Sequence, residues 1–203
     1  MGGWNMNFKK ILMVILMILG LGLAAGCGGS AASPTPAKST AQQQASLSGK
    51  KVLIAYFSWS GNTKAAAEKI QGLTGGDIYR IEAADPYPGE YDATTDRAKQ
   101  EQKDNARPAI AGKADLSKYD VIMVGYQIWL YQEPMIIDTF LESGVFSGKT
   151  IVPFCTSGGS SIDKSIEHMK TVVKGASFAQ GFRYDGNDKE MNQWLNSLGL
   201  LKK

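Results

Sequence analysis

Residues Val52-Leu53-Ile54-Ala55-Tyr56-Phe57 run without a break into Ser58-Trp59-Ser60-Gly61-Asn62-Thr63, and these into Lys64-Ala65-Ala66-Ala67-Glu68. An apolar, β-prone run, a short polar stretch with glycine and an alanine-rich segment read as strand, loop and helix in that order. Unbroken apolarity in the first part implies a strand covered on both faces, as in a parallel sheet between helix layers. The first N–H groups of the helix have no intrahelical acceptor, and the positive end of its dipole points into the loop. Together with the hydroxyls of Ser58, Ser60 and Thr63, and with Gly61 for a tight turn, these groups form a phosphate cradle that needs no metal. Trp59 and Asn62 belong to the same candidate binding loop. A plain strand-to-helix turn with a serine cap has similar hydroxyls; the position directly after the first strand favours the cradle.

Working outward, short apolar runs alternate with segments of helical period. Strands are expected at Val52 to Phe57, Asp77 to Glu82, Val121 to Gly125, Thr150 to Cys155 and Ser177 to Phe182. Helices are expected near Thr63 to Leu73, Tyr91 to Asn105, Met135 to Glu142, Ile162 to Val173 and Asp188 to Leu198. This is the pattern of an α/β domain, a doubly wound parallel sheet of five strands with helices on both faces. Ser161 and Asn187 suit N-caps, and Pro134 suits a first helical turn. Tyr87 to Gly112, bracketed by Pro86, Pro88 and Pro108, is a polar helix that serves either as a flap or as a solvated face. Gly144-Val145-Phe146-Ser147-Gly148-Lys149-Thr150 imitates a nucleotide-binding loop, but three residues separate its glycines instead of four and a strand follows it; it reads as a helix end and a turn.

In a doubly wound sheet the ligand sits at the carboxyl ends of the strands, so the loops after the first, third and fourth strands converge. The third is followed by Tyr126-Gln127-Ile128-Trp129-Leu130-Tyr131, where Trp129 is either a ring-stacking residue or a core tryptophan. The fourth is followed by Thr156-Ser157-Gly158-Gly159-Ser160-Ser161, small enough for backbone amides to approach the polar edge of a ligand.

Ser58 to Thr63 matches residue for residue the [Ser/Thr]-x-[Ser/Thr]-Gly-Asn-Thr loop of flavodoxins. Nearly all of Lys50 to Leu201 resembles the bacterial flavodoxin-like family that carries a Gly-Tyr-Pro-Ile-Trp-Trp motif. The resemblance extends to Asp85-Pro86-Tyr87-Pro88, Asn105-Ala106-Arg107-Pro108, Phe140-Leu141-Glu142, Phe146-Ser147-Gly148-Lys149-Thr150 and Gly158-Gly159-Ser160. It implies strand order 2-1-3-4-5, noncovalent FMN and transfer of one or two electrons. It places the FMN phosphate on Ser58, Trp59, Ser60, Gly61, Asn62 and Thr63. The ring then lies at Gln127, Ile128, Trp129 and Leu130, with its edge at Thr156, Ser157, Gly158 and Gly159. Gln127 replaces the usual proline, Leu130 the second tryptophan and Tyr131 a common glycine. Loss of that glycine removes the residue best able to flip its peptide toward a reduced flavin, and leaves Tyr126 or Tyr131 as alternative stacking partners. Flavodoxins of the resembled type are strongly acidic. Here the 22 basic side chains include Lys9, Lys10 and Lys38, and the remainder equals the 19 acidic ones. A basic reductase partner is therefore not implied, and neither is nucleic acid, which calls for a basic face.

Lys9 and Lys10, the apolar run Ile11 to Leu19, and Leu23-Ala24-Ala25-Gly26-Cys27 compose an export signal, with a retained signal anchor as the alternative. The segment resembles a bacterial lipoprotein signal. This implies removal of residues 1–26, lipidation of Cys27 and a membrane anchor on the extracytoplasmic face of the cell membrane. Gly28 to Gly49, rich in Gly, Ser, Ala, Pro, Thr and Gln, reads as a flexible tether, leaving 50–203 as the folded domain. With Cys27 acylated, Cys155 has no partner, so no disulfide is expected and Cys155 reads as a buried hydrophobe. His168, the only histidine, has no second imidazole with which to build a histidine metal cluster, and no metal site is expected. Ser160 lacks a Gly-x-Ser-x-Gly setting. Two functions follow. The first is an FMN-dependent redox lipoprotein whose electrons pass to a redox partner or to a small acceptor such as a quinone. The second is a flavin- or phosphate-ligand-binding module without turnover, to which the ring-loop substitutions point.

Overall fold

The computed structural model describes residues 46–202. The expected signal segment, Cys27 and the tether up to residue 45 lie outside the described residues. No helix among the described residues is long and apolar enough to cross a membrane.

The elements alternate as β1 (Val52–Tyr56), α1 (Asn62–Thr74), β2 (Asp77–Arg80), α2 (Tyr91–Lys103), β3 (Val121–Gln127), α3 (Met135–Ser143), β4 (Thr150–Thr156) and α4 (Asp163–Val172). β5 (Ser177–Phe178), β6 (Phe182–Tyr184) and α5 (Asp188–Leu198) complete the chain. All strand pairs are parallel, in the order β2-β1-β3-β4-β5, with β6 also on β4. The expected order 2-1-3-4-5 holds.

The two faces of the sheet are read off alternate strand residues. Val52, Ile54 and Tyr56 of β1 pack with Val121, Met123, Val152 and Phe154 beneath Ala66, Ala67 and Ile70 of α1 and Met191, Trp194 and Leu195 of α5. Leu53, Ala55 and Phe57 face the other way, with Ile122, Val124 and Tyr126, against Ile136, Phe140 and Leu141 of α3 and Met169 of α4. β1 is buried along its whole length, which accounts for a strand that does not alternate. Small residues permit close approach where it matters. A β-carbon on Gly125 would lie 2.1 Å from the ring of Phe154, which is itself fully buried.

Several boundaries differ from the sequence reading by one or two residues, and three differences bear on the fold. The strand expected at Ser177 to Phe182 is broken into β5 and β6. Ile151 faces it with a carbonyl that accepts from Ala179 N at 2.9 Å, but Pro153, two residues on and facing the same side, has no N–H to donate. The chain bulges across 179–181, and the Gln180 carbonyl turns to the Trp194 indole at 2.9 Å. β3 runs past Gly125, since Tyr126 and Gln127 stay in register with Cys155 and Thr156. Packing also begins before Lys50: Leu47 is buried, and its N–H bonds the Leu198 carbonyl at 2.9 Å. Asn187 caps α5 as expected, accepting from Lys189 and Glu190 N–H groups. Ser161 lies one residue before the N-cap of α4, Ile162, and its hydroxyl accepts from Asp163 N at 3.3 Å.

Candidate functional site

The carboxyl ends of β1, β3 and β4 meet on one side chain. Thr63, 1% exposed at the start of α1, places its Oγ1 2.9 Å from Thr156 Oγ1 and 3.5 Å from Gln127 Oε1. The register of the parallel strands brings Gln127 and Thr156 side by side, and the β1–α1 turn brings Thr63 to both. Gly61 occupies the N-cap of α1 with φ at 90°, a left-handed conformation that a side chain would strain. No side chain caps this helix and its first turn has no acidic residue. Its free N–H groups and positive dipole end are therefore left for an external anion.

Two side-chain groups at this junction are buried without a hydrogen-bond partner: Ser58 Oγ and Gln127 Nε2. A buried polar group left unpaired costs about 1–3 kcal/mol, so these two atoms fit a site completed by a polar ligand. A cleft of about 530 Å³ opens in front of Gln127, lined also by Ser60, Asn62, Ile128, Thr156, Ser157 and Gly158 from the expected loops. The expected ligand-binding positions divide around it. Ser58 and Trp59 face a second cleft of about 470 Å³ on the β2 side, lined also by Tyr87 and Pro88. Gly159 and Leu130 are exposed, and neither lines the first cleft. Ser157 folds the β4 loop by accepting from Gly159 N at 3.2 Å and Ser160 N at 2.8 Å.

The far wall of the first cleft was not legible in sequence. Lys69, Tyr184, Asp185 and Gly186 line it. Lys69 Nζ donates to Tyr184 OH at 2.8 Å and to Asp188 at 2.7 Å, and the Asp188 hydrogen bond raises the lysine pKa above its ordinary value. Lys69 is two turns along α1 from the cradle, and only the packing of α1 beside the β6–α5 connection brings it to the ligand side.

The expected ring loop is held in an aromatic cluster. Trp129 is half-buried, with its ring edge-on to Tyr87 at 5.1 Å, Phe57 at 5.7 Å and Trp59 at 6.4 Å between centroids. The inner side of the 85–103 segment builds the other side of this cluster, while its outer side, with Asp92, Asp96 and Lys99, is exposed. Trp59 Nε1 donates to Pro88 O at 2.7 Å, and Gln102 Nε2 to Trp129 O at 3.1 Å. Arg97 lies 4.0 Å over the Tyr87 ring, and Tyr87 OH donates to Glu101 at 2.8 Å. Tyr126 is wholly buried and does not reach the ligand side, which leaves Tyr131, 69% exposed, as the free tyrosine.

Trp129 and Gln132 close a tight turn through reciprocal backbone bonds of 2.9 and 3.1 Å. The two residues between them, Leu130 and Tyr131, both have positive φ, 49° and 73°. Such a turn favours Asn-Gly; a bulky residue in this conformation carries about 1–2 kcal/mol of strain. The backbone thus keeps the geometry that a glycine would adopt, although glycine is absent.

A doubly wound parallel sheet with an uncompensated helix N-terminus and three converging loops defines the class of α/β proteins that bind a phosphorylated ligand at the strand ends. The chain belongs to the flavodoxin family, whose sequence profile matches residues 51–198. Among solved structures it is similar to a protein of Bacteroides eggerthii assigned as a flavoprotein, at 39% identity and TM-score 0.68, over 73% of this chain and 98% of that one. A second, from Bacteroides uniformis with the same assignment, is 36% identical at TM-score 0.68, over 73% of this chain and 99% of that one. A flavoprotein of Lactobacillus acidophilus, solved in complex with FMN, is 26% identical at TM-score 0.60, over 71% and 98% of the two chains. No curated protein matches the chain.

Proposed function

We propose that this chain binds FMN noncovalently and acts as an electron-transfer flavoprotein anchored outside the cytoplasmic membrane. The observation that carries the reading is the pair of buried, unpartnered groups, Ser58 Oγ and Gln127 Nε2, beside a helix N-terminus with no acidic residue in its first turn. Family membership and the similarity to a flavoprotein solved with FMN support the same ligand. Ser58, Ser60, Gly61, Asn62 and Thr63 hold the phosphate through hydroxyls and backbone N–H groups. Gln127, Ile128 and the Thr156–Gly158 strand end bound the cleft that receives the ring. Bound FMN supplies reversible uptake of one or two electrons; the protein supplies binding, orientation and a local field. Trp129, braced by Tyr87 and Gln102, fixes the ring loop, and the strained Leu130–Tyr131 turn limits its motion. That restriction favours, as the second reading, a flavin-binding module without turnover.

Titrating FMN into the purified full-length chain tests the proposal. Quenching of flavin fluorescence at micromolar FMN or below, followed by reversible reduction, is the expected result. Absence of quenching overturns the flavin reading, and binding without reversible reduction selects the second reading. The anchor rests on Leu23 to Cys27 in the sequence. A Cys27→Ala chain should leave the membrane fraction; retention there after signal cleavage contradicts lipidation.

A further inference from the structure

Behind the ring loop, on the face of the sheet covered by α3 and α4, three ligand-type side chains draw together. Glu133 ends the loop, Asp138 lies in the first turn of α3, and His168 lies on α4. One donor atom from each falls within 4.8 Å of the others. His168 Nδ1 is 2.8 Å from Glu133 Oε1 and 3.8 Å from Asp138 Oδ2. Both carboxylates are 0% exposed, yet Glu133 Oε2 and both Asp138 oxygens have no hydrogen-bond partner. Arg107 does not fill the gap. Its fork is taken by Glu142 through two bonds of 2.8 Å, and its nearest approach to Asp138 is 3.8 Å.

Two adjacent buried carboxylates with unfilled lone pairs are costly unless a proton or a metal cation lies between them. An imidazole and two carboxylates make a mixed nitrogen and oxygen donor set that suits first-row divalent ions; magnesium and calcium favour oxygen alone. Four-coordinate zinc, with bonds of about 2.0–2.2 Å, holds its donors roughly 3.3 Å apart. His168 Nδ1 lies 2.8 and 3.8 Å from the two carboxylates, on either side of that spacing, and all three donors lie within 4.8 Å of one another, so shifts of about an ångström at each side chain convert the cluster into a coordination site. The His168 side chain, 32% exposed, leaves a route for the ion and a direction for a water ligand.

We propose that Glu133, Asp138 and His168 form a site for a first-row divalent cation of the zinc class, which ties α3 to α4 and braces the Trp129–Gln132 turn from behind. The site is separate from the phosphate cradle, and the proposal does not depend on flavin binding.

The test strips the full-length chain with a chelator and titrates it with zinc by calorimetry, with magnesium in parallel. One equivalent of zinc should bind at micromolar concentration or tighter, with no heat from magnesium. Asp138→Asn and His168→Gln should each weaken zinc binding at least tenfold. Cobalt should give a visible absorption band in the parent chain that both variants lose. Circular dichroism verifies folding, and Glu133→Gln takes the place of a variant that fails. No zinc uptake by the stripped parent, or equal affinity in parent and folded variants, overturns the site.

Discussion

Ser58→Ala is expected to weaken FMN binding about 10- to 100-fold and, at the same time, to stabilise the ligand-free chain by about 1 kcal/mol. The two effects have opposite signs for one physical reason. Ser58 is 6% exposed, and its hydroxyl is buried and makes no hydrogen bond. Without ligand it is a desolvated polar group with nothing returned for its desolvation, and alanine removes it at the loss of one small atom. With a phosphate in the cradle it becomes a charge-assisted donor, worth about 1.5–3 kcal/mol. Thr63 does not separate the two effects in this way, since its hydroxyl already bonds Thr156 at 2.9 Å. Urea denaturation without FMN and fluorescence titration with it read the two halves. An unchanged affinity would remove Ser58 from the cradle, and a less stable ligand-free variant would mean that its hydroxyl has a partner after all.

The metal-free chain should lose roughly 2–4 kcal/mol of stability as pH rises from about 4 to 8, a slope that Asp138→Asn reduces to the smaller part carried by His168. Burial, and then the neighbouring Glu133 carboxylate, push the Asp138 pKa up from 3.8 to about 7. A carboxyl whose folded pKa lies above its unfolded one binds its proton more tightly when folded. Its contribution is complete below the unfolded pKa and is lost as pH climbs through the folded one. His168 acts in the same direction. Its hydrogen bond to Glu133 raises its pKa above 6.5, so its contribution is present below that value and fades as pH rises through the folded one. Glu142 is shifted down by its Arg107 partner, so its contribution is complete only above its unfolded pKa of 4.5 and is lost as pH falls from there, opposing the Asp138 slope at the acid end of this window. Chemical denaturation at several pH values in the presence of a chelator, for parent and Asp138→Asn, measures the slope. A parent chain with flat stability across that range would contradict the account of Asp138.

The neutral domain and its aromatic cluster bear on what such a flavoprotein meets. With 19 acidic residues balanced by basic ones in the folding segment, long-range steering by net charge is weak. On the proposed electron-transfer reading, docking of a redox partner or a small acceptor would then depend on local shape at the cleft. Tyr131 and Leu130, at the tip of the β3–α3 loop, are exposed by 69% and 36%.

The local sequence around Val52 to Thr63 was sufficient for strand, cradle loop and helix, because each depends on residues adjacent in the chain: an apolar run, a glycine at positive φ and an uncapped helix start. The parallel sheet followed from the alternation of such units, and the family motif located the three loops. The break between β5 and β6 was hidden because it depends on Pro153 of a neighbouring strand lacking an N–H. Lys69 and Tyr184 were hidden likewise, since they meet only when α5 packs beside α1. His168 looked solitary in the sequence because its partners, Glu133 and Asp138, lie 35 and 30 residues away and are not histidines. Sequence alone determined the order of the elements and marked the candidate phosphate loop, both of which rest on short-range pattern. Only the tertiary structure decided which polar atoms are buried without partners and which charges face one another, because burial and through-space distance are properties of the packed chain.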